Sequence, residues 1–195
     1  MNLSAEEQKM LKACQSGEPL YQKMLYERFY GKMLAVCLRY ARDREEGKDI
    51  LQEGYIKVFT SIINFKGEGS LEGWIRRIMV NTAINYYHKN KKLTQQASID
   101  DENNLIHYHL NNIEEADIFQ KLNYEDLLTL VRALPPAYQA VFNLYAIEGY
   151  THKEIGELLH INEGTSKSNL AKARMKLQKK LHLLLEQNNT IRCVE

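Results

Sequence analysis

INEGTSKSNLAKARMKLQKKL, residues 161–181, carries no acidic residue after Glu163 and six cations: Lys167, Lys172, Arg174, Lys176, Lys179 and Lys180. Leu170, Ala173, Leu177, Leu181 and, beyond the stretch, Leu184 recur every three or four residues, so one face of a helix is apolar and the other cationic. Taken alone, such a helix fits a solvated charged face as well as a nucleic-acid surface. The residues before it add to the second reading. Thr151 caps a helix over 151–159, and His160-Ile161-Asn162 makes a short turn, which together give a helix-turn-helix pattern. Ile155 and Leu158 are expected to pack on Leu170 and Ala173, with Ile161 in the corner and the small Ser166 on the inner side.

In a helix-turn-helix the start of the second helix enters the major groove. Lys167, Ser168, Asn169 and Lys172 occupy that place and offer donors and acceptors to base edges. Arg174, Lys176, Lys179 and Lys180 lie further along, where contacts with phosphates fix position without reading sequence. Thr151 and Thr165, near the two helix starts, complete the candidate set.

The formal net charge is only +1 over 195 residues, which argues against coating nucleic acid by bulk charge but leaves room for local patches. The chain is 44% apolar, enough for compact cores, and strand-like alternation is absent. Cys14, Cys37 and Cys193 are far apart, with no CxxC pair, which fits a reducing compartment and gives no zinc framework. No apolar run approaches the roughly 20 residues of a membrane span, and the start has no signal-peptide pattern. A soluble cytoplasmic protein without metal or cofactor is expected.

Working towards the N-terminus, Pro135-Pro136 separates helices expected over 122–134 and 137–147. Residues 93–120 contain Asp100, Asp101, Glu102, Glu114, Glu115 and Asp117 but no Lys or Arg, and read as a linker. Ahead of it, Ser4 and Glu7 form a capping box for a short helix closed near Gly17. A second helix spans 21–42, with Leu25, Phe29, Met33, Val36, Cys37 and Tyr40 on one stripe. A third runs over about 45–63, and a fourth starts after Ser70 and reaches about Lys91. The fold class is all-α: two small helical modules joined by an acidic linker, the second containing the helix-turn-helix.

The first module offers two further surfaces. On its third helix Ile50, Leu51, Tyr55, Val58, Phe59 and Ile62 form the buried side. Opposite them stand Asp49, Gln52 and Glu53 beside an exposed Ile56, a set that suits a basic protein partner. A plain surface with Lys57 paired to Glu53 accounts for the same residues. On the fourth helix Trp74, Arg77, Asn81, Asn85 and His88 make a continuous stripe, preceded by the glycine-rich loop NFKGEGS with Phe65, Lys66 and Gly67. Amides, a cation and aromatics in one stripe fit a DNA surface, and an aromatic beside a flexible loop fits an unstacked base. Trp74 also reads as partly core.

With these residues in place the chain resembles an extracytoplasmic-function sigma factor of bacterial RNA polymerase. DILQEGYIKVF (49–59) resembles the family's polymerase-binding helix. FKGEGSLEGWIRRIMVNTAINYYHK (65–89) resembles its −10 loop and helix, and LPPAYQAVFNLYAIEGYTHKEIGELLHINEGTSKSNLAKARMKLQK (134–179) its −35 module. The resemblance covers about residues 5–92 and 121–185. It implies sigma region 2 over 1–92, an acidic linker over 93–120, region 4 over 121–187 and a tail over 188–195. It also implies roles. Asp49, Gln52, Glu53 and Ile56 would meet the clamp coiled coil of the polymerase's largest subunit, and region 4 its flap. Phe65, Lys66 and Gly67 would capture a flipped −10 base, with Trp74, Arg77, Asn81, Asn85 and His88 along the rest of that element. The linker would thread the polymerase towards the RNA exit. An anti-sigma partner is expected, and no stable homo-oligomer. Gly54 and Ser166 depart from the family pattern, where a bulkier residue and an aliphatic one are usual; Gly54 weakens its helix by up to about 1 kcal/mol relative to Ala.

Two other classes compete. An enzyme finds little support: there is no GxxxxGK[ST] stretch, and His107-x-His109 and Asp100-Asp101 lie in the linker. A stand-alone helix-turn-helix regulator accounts for the second module and leaves the first unused; it would bind an operator without polymerase.

Overall fold

The computed structural model describes residues 4–94 and 124–192. Every regular element among them is helical. The chain divides into two compact units at the Tyr87–His88 bond. Most of the expected linker, with His107, His109, Asp100 and Asp101, and the end of the expected tail with Cys193 lie outside the described residues.

The first unit begins with α1 (Ala5–Gln15). Ser4 Oγ accepts from Glu7 N and the Glu7 carboxylate accepts from Ser4 N, so two orphan donors are satisfied as the capping-box spacing predicts. Gly17, at φ 77°, reverses the chain into α2 (Pro19–Leu38). α2 buries Leu25, Phe29, Met33, Val36 and Cys37. It stops four residues short of the expected Arg42. Glu46 explains this: its carboxylate takes the Arg42 backbone N–H at 2.6 Å and its guanidinium at 3.1 Å, while Asp43 Oδ1 caps the next helix by accepting from Glu46 N at 2.8 Å. Arg42 therefore belongs to the start of α3 (Arg44–Ser61), and Tyr40 sits half-buried off the end of α2.

Ile50, Leu51, Tyr55 and Val58 of α3 are buried as expected, while Phe59 is half-buried. Rings of Tyr26 and Tyr55 meet at 4.6 Å between α2 and α3. A 3₁₀ turn, Ile62–Asn64, ends this helix. After the loop, Ser70 Oγ accepts from Gly73 N at 3.3 Å and α4 (Leu71–Thr94) begins. Ile75, Met79, Val80, Ala83 and Ile84 bury its inner face.

The second unit is built around its last helix. α5 (Tyr124–Arg132) and α6 (Pro136–Phe142) flank Pro135. The helix expected to continue to Ile147 widens into a π-helical turn over Asn143–Ile147, in which Glu148 N reaches Asn143 O at 3.0 Å. Gly149, at φ 77°, ends it. α7 (His152–Leu159) starts with a second capping box, Thr151 with Glu154. α8 (Glu163–Arg192) packs against α5, α6 and α7. Its buried line is Ser166, Leu170 and Ala173. The buried residues on α7 are Ile155 and Leu159, four apart and both essentially inaccessible, rather than Ile155 and Leu158; Leu158, three residues on from Ile155, falls at the edge of the same face and is half-buried.

Among the described residues no helix is long and apolar enough to cross a membrane.

Candidate nucleic-acid and protein interfaces

The turn between α7 and α8 depends on close backbone approach. A Cβ on Gly156 would stand 2.8 Å from Ile161 O, so a side chain there would push the two helices apart. His160 adopts the left-handed conformation, φ 53°, that closes α7. Asn162 Oδ1 then accepts from Thr165 N at 2.7 Å and caps α8. Ser166 is fully buried and its hydroxyl shares a 2.9 Å hydrogen bond with His152 Nδ1. The ring of Tyr145 stacks on His152 at 4.4 Å. These contacts fix the rotation of α8 about its own axis.

With that rotation set, Lys167 and Ser168 are exposed, and Asn169 and Lys172 half-buried. Ala171 is exposed between them. Sequence reasoning passed over it for want of a polar group, yet a small apolar side chain is what meets a thymine methyl. Its spacing from Lys167 and Ser168, four and three residues, was the available signal. The cations differ in what holds them. Lys167 Nζ lies 2.7 Å from Glu163 Oε1, and this hydrogen bond, with the Lys167 charge, holds the Glu163 carboxyl below its ordinary value. Lys172 stands 5.9 Å over the ring of Tyr138, and the Arg174 guanidinium 6.0 Å over Tyr145. Lys176 and Lys179 are exposed. Lys180 is tied down: its ammonium donates to Ala133 O at 2.9 Å, at the carboxyl end of α5. The Thr151 hydroxyl is engaged in its capping box, and Thr165 is half-buried at the start of α8.

In the first unit Asp49 and Gln52 are exposed, Glu53 is half-buried, and Ile56 stands 58% exposed beside them. Glu53 does pair with Lys57, at 2.6 Å, and Lys57 Nζ also donates to the buried Thr82 Oγ1 at 3.4 Å. The acids thus form one face, with Glu53 held against α4 and Asp49 open to solvent. Burial raises the phenol of Tyr86 on α4, and the neighbouring Glu53, Asp49 and Glu46 raise it further.

Along α4, Arg77, Asn81 and Asn85 are exposed on one line; Trp74 and His88 are half-buried. Lys66 is exposed in the loop and Gly67 half-buried. Phe65 departs from expectation. The residue is 7% exposed and its ring packs on Trp74 at 5.1 Å, so in this conformation it anchors the loop to the core and presents no face to a base. An aromatic next to glycine read as a free platform because burial here comes from α1 and α4, not from its own segment.

Comparison with known proteins places both units. Residues 25–93 match sigma-70 region 2 and residues 124–177 match sigma-70 region 4, together more than half of the chain. The chain is similar to the ECF RNA polymerase sigma-E factor of Haemophilus influenzae, 27% identical over 184 residues, covering 92% of this chain and 97% of that one. Its likeness to the sigma-E factor of Escherichia coli is 22% over 193 residues, covering 96% of this chain and all of the other. Among solved structures, the fold resembles that of the sigma factor RpoE from Bartonella quintana, seen in complex with the anti-sigma factor NepR. That likeness has a TM-score of 0.50 and 18% identity, over 82% of this chain and 96% of that one.

Proposed function

The chain belongs to the sigma-70 family, in its extracytoplasmic-function group, and from that premise we propose how its surfaces divide the work of directing RNA polymerase to promoters. A sigma factor catalyses no step itself; the polymerase performs the chemistry and the sigma factor supplies the address. Region 2, residues 1–92, docks on the clamp coiled coil of the polymerase through Asp49, Gln52, Glu53 and Ile56. Its α4 face, Arg77, Asn81 and Asn85 with Trp74 and His88 at either end, lies along the −10 element. The loop carrying Lys66 and Gly67 holds a base that has left the stack. Region 4, residues 121–187, lies against the flap and places α8 in the major groove of the −35 element. Lys167, Ser168, Asn169, Ala171 and Lys172 then face base edges, and Arg174, Lys176 and Lys179 face phosphates. Residues 93–120 join the two along the polymerase surface, where a basic channel attracts their acids. An anti-sigma factor would cover these same surfaces, and the site of action is the cytoplasm, where polymerase is.

The observation that carries this reading is the outward line of α8. The part-buried Ser166–His152 bond turns Lys167, Ser168 and Ala171 to solvent at the start of a helix that follows a tight turn. Transcription in vitro with purified core polymerase and a promoter library tests it. Promoter-specific transcripts that require both protein and core polymerase are expected. Tight, sequence-specific binding of an operator duplex without polymerase, and no transcripts with it, would sink the reading in favour of a stand-alone regulator.

A further inference from the structure

The loop between α3 and α4 is held from outside. Gln15, the last residue of α1, donates through its side-chain amide to two carbonyls: Ile62 O at 3.1 Å and Phe65 O at 3.0 Å. The two hydrogens of one NH₂ group serve two acceptors. Both acceptors belong to the end of α3: Ile62 opens the 3₁₀ turn and Phe65 follows it. Phe65 N returns to Ile62 O at 3.1 Å, and the Phe65 ring is buried against Trp74. The near end of the loop is therefore fixed at three points on one residue. Its far end is fixed by Ser70, which caps α4. Between them Lys66, Gly67, Glu68 and Gly69 form an arch whose two glycines take φ 78° and 84°, conformations that other residues adopt at a cost.

An arch with four free residues and two fixed feet keeps its shape only while the feet stay put. One foot hangs on a side chain from α1, about fifty positions away in sequence. α1 also lies ahead of residues 25–93, the stretch that matches sigma-70 region 2. We propose that Gln15 is a positioning residue for promoter opening: its amide fixes the height and tilt of the 66–69 arch and so sets how well a flipped −10 base is held. This rests on the assignment of that loop to base capture. Extracting a base costs a few kcal/mol, which a pocket offsets only if it is already formed. An arch free to wander would bind the base less well without affecting the duplex contacts that precede opening.

The test uses the full-length protein assembled with core polymerase. Gln15→Glu is nearly isosteric and removes both donors; Gln15→Lys restores donors to both carbonyls. For Gln15→Glu, permanganate reactivity of the −10 thymines should fall about tenfold, the worth of roughly one net hydrogen bond. Closed-complex affinity and core binding should stay within twofold. Gln15→Lys should recover most of the opening. A second variant, Lys66→Ser with Glu68→Ser, alters the arch itself. Equal loss of opening and closed-complex binding in Gln15→Glu, or no rescue by Lys while the thermal midpoints of the two variants agree, would mean that Gln15 only stabilises the fold. If the arch variant impairs opening and Gln15→Glu does not, the positioning role falls and the loop assignment stands. If neither impairs opening, the loop assignment falls as well.

Discussion

A Cβ placed on Gly54 of α3 would collide with the Sδ of Met79 on α4. Both residues are buried, and Met79 is wholly inaccessible, so its thioether could give way only by repacking against its core neighbours. The two helices touch at this point, backbone against side chain. Judged by helix propensity, Gly54→Ala should stabilise by up to about 1 kcal/mol. The contact reverses the sign. Gly54→Ala should destabilise the first unit by about 1–3 kcal/mol through overpacking. Combined with Met79→Ala, which opens the space, the loss should be smaller than the sum of the two single losses. Urea denaturation of the four proteins checks it; strict additivity would mean that the contact is absent in solution.

Asp49 and Glu53 lie on one face with Ile56, Asp49 and Ile56 exposed and Glu53 half-buried. Charge reversal of both to Lys should leave helical content unchanged and weaken binding to core polymerase by tenfold or more, mainly through the on-rate at low salt. Glu53 also loses its pair with Lys57, a half-exposed contact worth at most about 1 kcal/mol, so unfolding should be nearly unaffected. Titration of labelled protein with core polymerase gives the answer, and unchanged affinity would remove this face from the interface.

Lys179 and Lys180, adjacent in sequence, should behave differently. Lys179→Met should flatten the slope of log affinity against log salt for −35 DNA by about 0.9 if it touches one phosphate. Lys180 is spoken for by Ala133 O. Lys180→Met should lower the stability of the second unit by about 0.5–1.5 kcal/mol, the net worth of a hydrogen bond, and change the salt slope little. Salt-dependent binding of holoenzyme to a −35 duplex, beside thermal melts, separates the two. Equal slopes for both variants would contradict the tether.

Glu163, the first residue of α8, holds the Lys167 ammonium in a 2.7 Å ion pair. Its carboxyl is held below the ordinary value by Lys167, so it is ionised throughout the neutral range. Glu163→Gln should release Lys167, raise affinity for duplex of any sequence, and steepen the salt slope towards one further unit of about 0.9. Sequence discrimination should fall accordingly. A panel of −35 variants measured at several salt concentrations reads both effects; an unchanged slope would show that the Glu163 pair does not hold the Lys167 charge back from DNA.

The first unit should lose stability in alkali. Burial pushes the Cys37 thiol from about 9 up to about 12, with Arg39 opposing, and burial also raises the Tyr55 phenol. The folded protein disfavours both ionised forms, so stability is complete below the unfolded values. It falls as pH rises from about 9 towards 12, by up to about 1.4 kcal/mol per pH unit for each group. Cys37→Ala, whatever its effect on absolute stability, should make the decline shallower between pH 9 and 10. Denaturation midpoints across that range check it, and an unaltered slope would assign the alkaline loss elsewhere.

The local code of the sequence determined where helices begin and which faces they bury. Ser4 with Glu7 and Thr151 with Glu154 are three residues apart, so each cap is complete within one turn and owes little to the rest of the fold. The apolar spacing of Ile155, Leu170 and Ala173, and the smallness of Ser166, likewise placed the helix-turn-helix and the outward side of its second helix. Three motifs in order around an acidic segment carried the family resemblance. What only the tertiary structure decided are relations between residues far apart. Gln15 reaches carbonyls 47 and 50 positions away, and Lys180 reaches one 47 positions away. Phe65 is a core anchor because α4 supplies Trp74, and Gly54 is a point of helix contact because Met79 fills its space. Periodicity assigns a residue to a face of its own element. It does not say which atom of another element will fill that space, because the register between elements is set by packing the whole core at once.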